Sequence, residues 1–171
     1  MTEPAHLFDL TERVAVITGG AGLLGIQHAK AIHAFGGIPE LADLDGKQAM
    51  ASAATVGERA IGVTLDVTRP ESIVAARDSL LERFGHIDIL LNNAALNPKV
   101  EPGSKAMLGR LEDLDPTGFQ LELAVGLSGA VFCSQYFGEQ MAKQGEGVIL
   151  NIASDLALIA PDQRLYAKPG I

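Results

Sequence analysis

At 171 residues, with 47% hydrophobic content and 19 glycines, the chain can bury one core but not two, which makes a single domain over residues 1–171 the expectation. Its net charge of −8 argues against nucleic acid or an anionic membrane surface as partner, and no apolar stretch approaches the roughly 18 residues of a membrane span. The lone Cys133 excludes an internal disulfide framework and Met1-Thr2-Glu3-Pro4-Ala5-His6 lacks the charged-then-apolar profile of a signal peptide, so a cytoplasmic protein is expected.

The first element is an apolar run, Val14-Ala15-Val16-Ile17, that leads into Thr18-Gly19-Gly20-Ala21-Gly22-Leu23-Leu24-Gly25 and then into helix-forming Ile26 to Ala31. Gly20, Gly22 and Gly25 have the G-x-G-x-x-G spacing between a strand and a helix, the context in which the pattern cradles a pyrophosphate against unpaired helix amides. A dinucleotide site requires an acidic residue about 20 positions on, at the end of a second strand. Asp43 closes the run Ile38-Pro39-Glu40-Leu41-Ala42-Asp43 and meets that requirement. A carboxylate there accepts hydrogen bonds from a ribose diol and repels a 2′-phosphate, which favours NAD over NADP. The other reading of Asp43 or Asp45 is a cap for a helix starting near Gly46. Pro39 leaves the start of the second strand open, because proline cannot donate to a ladder.

Further on, Ala60 to Leu65 reads as a strand, Pro70 to Phe84 as a helix, Ile87 to Leu91 as a strand, Gly129 to Lys143 as a helix and Val148 to Ile152 as a strand. The segment from Asn97 to Gly118, with its prolines, glycines and scattered charges, reads as a long loop with a short helix around Lys105 to Leu111. Repeated β–α units with right-handed crossovers predict an α/β fold, a Rossmann-type doubly wound parallel sheet with helices on both faces and the ligand at the carboxyl ends of its strands.

Four motifs in order give the chain, up to about Ser154, a resemblance to the short-chain dehydrogenase/reductase family. Thr18 to Gly25 resembles its glycine turn, Asp66-Val67 its adenine-contacting Asp-Val, Asn92-Asn93-Ala94-Ala95 its Asn-Asn-Ala-Gly, and Asn151-Ile152-Ala153-Ser154 its Asn-Ile-Ser-Ser. The resemblance implies cofactor contacts from Thr18, Gly19, Gly20, Gly22, Leu23, Leu24, Gly25, Asp43, Asp66, Val67, Asn93, Ala94 and Ala95. It also implies that Ser154 hydrogen-bonds the oxygen of an alcohol or carbonyl substrate during hydride transfer with NAD. On residue chemistry alone, Asp66 is equally a cap for the helix starting near Arg69, Asn93 an ordinary loop-start asparagine and Ser154 a turn residue.

The chain departs from the family pattern in three places. Leu23 stands where the single-domain subclass carries a glycine, and Gly19, Gly22 and Gly25 match the spacing of the larger, sugar-nucleotide-modifying subclass; Asn-Asn-Ala-Ala and Gln140-Met141-Ala142-Lys143 favour the smaller one. Gly126 replaces the asparagine that holds a water in the family's proton relay. The catalytic Tyr-x-x-x-Lys is not matched, because Tyr166 and Lys168 are two residues apart and would not share a helix face, and Pro169-Gly170 follow. By resemblance, Asp155 to Tyr166 is an inserted loop and the sheet is expected to be truncated after its fifth strand, as in the amino-terminal two-thirds of such an enzyme. Val148 to Ile152 then becomes an apolar edge that needs a cover, and the family's dimers, which use the helix matching Gly129 to Lys143, imply a homo-oligomer. The expected function is that of an NAD-dependent oxidoreductase. A catalytically silent dinucleotide-binding module and, on the glycine spacing alone, a sugar-nucleotide epimerase are the alternatives.

Overall fold

A computed structural model describes residues 8–96 and 114–154. Five parallel strands, β1 (Val14–Thr18), β2 (Ile38–Asp43), β3 (Ile61–Thr64), β4 (Ile89–Asn92) and β5 (Val148–Asn151), form one sheet in the order β3-β2-β1-β4-β5. Helices α1 (Leu23–Ala34), α2 (Gly46–Val56), α3 (Pro70–Phe84), α4 (Pro116–Leu123) and α5 (Gly129–Gln144) connect them, with a π-helical turn at Ala124–Ser128 between the last two. The order reverses beside β1, so the crevice at the carboxyl ends of β1 and β4 is the place where such sheets bind ligands.

β1 is wholly buried, as a central parallel strand covered on both faces must be. Its alternation sorts the core into two layers. Val16 joins Ala42, Leu65, Leu90 and Phe137 beneath α3 and α5, while Ala15 and Ile17 join Ala29, Ile32, Leu41 and Ala53 beneath α1 and α2.

Pro39 is inside β2, and the ladder explains why it is tolerated. Ile38 N donates to Arg13 O and Ala42 O accepts from Gly20 N, both toward β1, whereas Asp43 O accepts from Leu65 N on the other side. The missing donor of Pro39 therefore faces the β3 side, where pairing begins only at Glu40 with Ile61.

The loop expected from Asn97 to Gly118 is too long at its carboxyl end, because α4 already starts at Pro116. Asp115 caps it by accepting from Thr117 N and Gly118 N, and Pro116 occupies the first helical position, where its lost N–H costs nothing. The helix expected from Gly129 is thus the second half of a rod whose residues 123, 124, 128 and 129 all hold right-handed helical angles. The short helix expected around Lys105 to Leu111 lies outside the described residues.

Candidate functional site

At the carboxyl end of β1 the chain turns through glycines that have no room for a side chain. A Cβ on Gly20 would sit 2.5 Å from Leu41 Cα, one on Gly25 2.4 Å from Gly19 O, and Gly19 adopts φ +63° against Ala94. Gly22 is the N-cap of α1 and brings no capping side chain, so the first-turn amides face outward with the positive end of the helix dipole. Leu23 and Leu24 are already in α1, which begins three residues before the expected Ile26.

Thr18 and Asn93 fix this turn against the end of β4. The buried Thr18 Oγ1 accepts from Asn93 N and Ala94 N, both at 3.0 Å, and Asn93 Nδ2 donates to Thr18 O at 2.9 Å and Gly19 O at 3.2 Å. Asn93 is therefore a brace between β1 and β4 rather than an ordinary loop-start asparagine.

The two acids at the end of β2, Asp43 as its last residue and Asp45 just beyond, separate cleanly. Asp45 is the cap of α2 and accepts from Lys47 N and Gln48 N. Asp43 instead turns toward the glycine loop, where its Oδ2 accepts from Ala21 N at 3.0 Å while Oδ1 accepts from Asp45 N at 3.3 Å. Asp66 Oδ1 accepts from Thr68 N and Thr68 Oγ1, which organises the turn before α3, but the N-cap of α3 is Arg69.

These residues line one cleft of about 550 Å³: Gly19, Gly22, Leu23, Leu24, Asp43, Asp66, Val67, Asn93, Ala94 and Ala95 all border it, with Leu44, Leu65, Leu96 and Val125. Thr18, Gly20 and Gly25 shape it from behind. Past Asp43 the cleft runs into a more open depression floored by Gly46, Met50 and Thr64. A Cβ on Gly129 would lie 2.7 Å from Val67 Cγ2, so glycine at the start of α5 lets that helix close the cleft wall.

A second cavity, also of about 550 Å³, shares Leu24, Asn93, Ala94 and Ala95 with the first and extends past Gly126 and Val131 to Asn151. In it Asn92 Nδ2 donates to Ser134 Oγ at 2.9 Å and Asn151 Oδ1 at 2.8 Å, tying β4, β5 and α5 together. The Asn92 role was legible only as half of a doublet; among the described residues its buried Oδ1 has no partner. Among the described residues nothing lies within 4 Å of a Cβ on Gly126. Ser154 is exposed three residues after β5, at the same end of the sheet, and lines neither cavity. Tyr166 and Lys168 lie outside the described residues. Cys133 is buried and its thiol is pushed up to about 12 by desolvation, which removes it as a nucleophile at neutral pH.

A glycine turn that a Cβ would fill, an uncapped helix start and an acid at the end of β2 fit a dinucleotide. Residues 13–166 match the short chain dehydrogenase family. The chain belongs to that family. Short chain dehydrogenases bind NAD(P), and those that this chain resembles include D-threitol dehydrogenase of Mycolicibacterium smegmatis, 35% identical over 161 residues, which cover 92% of this chain and 58% of that protein. A 3-alpha-(or 20-beta)-hydroxysteroid dehydrogenase of Mycobacterium tuberculosis is 32% identical over 145 residues, covering 85% of this chain and 52% of that protein. Among solved structures, NAD⁺-bound xylitol dehydrogenase superposes with a TM-score of 0.79 at 26% identity, covering 92% of this chain and 58% of that one. The chain thus spans somewhat over half the length of the short chain dehydrogenases it matches. No helix among the described residues is long and apolar enough to cross a membrane.

Proposed function

We propose that the protein is an NAD(H)-dependent oxidoreductase acting on a secondary alcohol or the corresponding carbonyl, and that this chain is its cofactor-binding portion. The observation that carries the reading is Asp43, a carboxylate held on the cleft wall by Ala21 N, where it would accept from ribose hydroxyls and repel a 2′-phosphate. The glycine turn and the first amides of α1 would receive the pyrophosphate. Asp66 and Val67 would border the adenine, and Asn93, Ala94 and Ala95 the nicotinamide ribose. The bound nicotinamide supplies or accepts the hydride. Ser154 would hold the substrate oxygen and stabilise the charge that develops on it.

Relatives named for D-threitol, glycerol, sorbitol and xylitol make a small polyol the first substrate to try. A cytoplasmic setting belongs to the same proposal and rests on the single cysteine of the sequence, which offers no internal disulfide for an oxidising compartment to form. A homo-oligomer through the α4–α5 rod belongs to the same proposal and rests on exposed Phe119, Leu121 and Leu123 of α4.

The test is Asp43→Ala with both cofactors. Loss of charge-assisted hydrogen bonds worth about 1.5–3 kcal/mol should weaken NADH at least tenfold and leave NADPH unchanged or tighter. Unchanged NADH affinity would remove the ribose clamp. A second reading, a silent dinucleotide-binding module, is favoured by Gly126, which offers no side chain to order a relay water. Turnover of a polyol that Ser154→Ala abolishes, with NADH affinity retained, excludes it; cofactor binding without any turnover by the full-length protein supports it.

A further inference from the structure

His86 lies between α3 and β4, at the pole of the sheet opposite the candidate cofactor cleft, and both of its ring nitrogens face oxygen. Nδ1 is 2.9 Å from Phe84 O at the end of α3, and Nε2 is 3.1 Å from Glu12 O and 3.3 Å from Asp88 Oδ2. A neutral imidazole has a single N–H, so either tautomer sets a lone pair against oxygen: one forgoes Phe84, the other Glu12 and Asp88. Only the imidazolium donates on both sides. Phe84 ends α3, and the negative end of that helix dipole also favours a cation here.

The charges around the ring agree with that form. His86, Glu12, Arg13, Asp88, Gln144 and Glu146 border one depression of about 400 Å³ at the amino ends of the strands. Arg13 Nη1, just before β1, donates to Asp88 Oδ1 at 2.7 Å and to Glu146 Oε1 at 2.8 Å, so one guanidinium serves two carboxylates at the entries of β4 and β5. The buried Asp88 also accepts from Val14 N through Oδ2 at 2.8 Å. Glu12 is matched by Arg59 from the loop before β3, Nη2 to Oε1 at 2.7 Å. At the end of α5, Lys143 is paired with Glu139, and the neutral Gln144 is bonded to Ile87 N and O. In the last turn of α3, Glu82 is exposed and Arg83 lies over the Phe84 ring. An imidazolium at His86 therefore supplies the positive charge that the Arg13–Asp88–Glu146 group lacks.

Glu12 is also a point of backbone strain. Its φ is +63°, the single left-handed non-glycine among the described residues, in the turn that Arg13 N closes on Leu10 O at 2.9 Å. Such a residue persists where its surroundings hold it, and two of the holds here are Arg59 on its carboxylate and His86 on its carbonyl.

We propose that His86 is a proton-operated clip that fastens the turn entering β1 to the end of α3 and the start of β4. With both nitrogens protonated, the ring bridges Phe84 O, Glu12 O and Asp88 Oδ2. Loss of one proton breaks one side of the bridge, leaves the Arg13 group with an unmatched negative charge and lets the left-handed turn at Glu12 relax. The sign follows from the proton count. The clipped form binds one proton more than the released form, so rising pH through the imidazole range of about 5 to 8 favours release.

The test is amide hydrogen exchange at Arg13 and Val14 of the 171-residue chain at pH 5 and pH 8, corrected for the intrinsic pH dependence of exchange. Protection should fall about two- to fivefold in the wild type, as for a partly exposed charged contact, and stay low and level in His86→Phe. An unchanged wild type overturns the clip, as does a fall of equal size in His86→Phe, which would assign it to another titrating group. Should His86→Phe not fold, the carbonyl-carbon NMR shifts of Phe84 and Glu12 in the wild type decide: movement of either with the titration of the His86 ring supports the clip, and movement of neither contradicts it.

Discussion

Asp43, the last residue of β2, and Asp45 lie two residues apart, and their hydrogen bonds separate them: Asp45 caps α2, whereas Asp43 accepts from the amide of Ala21 in the glycine turn. The two should respond differently to truncation. Asp45→Ala should cost about 1 kcal/mol of stability, the usual worth of such a cap, without altering the ratio of NADH to NADPH affinity, whereas Asp43→Ala should change that ratio. Urea unfolding and the two cofactor titrations distinguish them. Gly20 tests the turn itself. Because its Cβ would stand 2.5 Å from Leu41 Cα, Gly20→Ala must push the turn away from β2 and should destabilise by about 1–3 kcal/mol in the same unfolding measurement. His86 was illegible at this level, since a single histidine between a helix and a strand carries no mark of which oxygens its ring meets.

Among the elements, the five strands were legible because short apolar runs alternated with helical spacing, and the cleft was legible because Gly-rich, Asp-Val and Asn-Asn segments each end a strand. Boundaries moved by one or two residues where a run continued past its last ladder pair, as at Ile87 and Ile152, which flank β4 and β5 without belonging to them. The start of α4 was missed for a different reason. Pro116 and Gly118 read as loop formers, and only the cap at Asp115 turns that proline into a helix start. The π-helical turn has no sequence signature, since extra turns of this kind depend on how the two halves of the rod pack. At Gly126 inside it, a Cβ meets nothing within 4 Å among the described residues, so Gly126→Ala should stabilise the rod by about 0.5–1 kcal/mol, read from the thermal midpoint. A loss of stability there would mean that the turn needs glycine for its shape.

For the molecule as a whole, β5 is the edge of the described sheet. Ile149 packs toward Gly138 of α5, and Val148 and Leu150 point to the other face, where they are 61% and 50% exposed. An apolar parallel strand left open in this way recruits a cover, from further chain or from another molecule. The 171-residue chain should therefore self-associate, and Leu150→Lys should shift sedimentation toward monomer; unchanged sedimentation would place the contact elsewhere. The candidate cofactor cleft does not depend on that edge, because the carboxyl ends of β1, β2, β3 and β4, the glycine turn and Val125 line it. The measurement that decides its purpose is NADH fluorescence titration of the folded 171-residue chain with NADPH as comparator. Saturable NADH binding, with NADPH at least tenfold weaker as expected from charge repulsion at Asp43, is the predicted result. A folded chain that binds neither, or that binds NADPH as tightly as NADH, contradicts an NAD site built around Asp43.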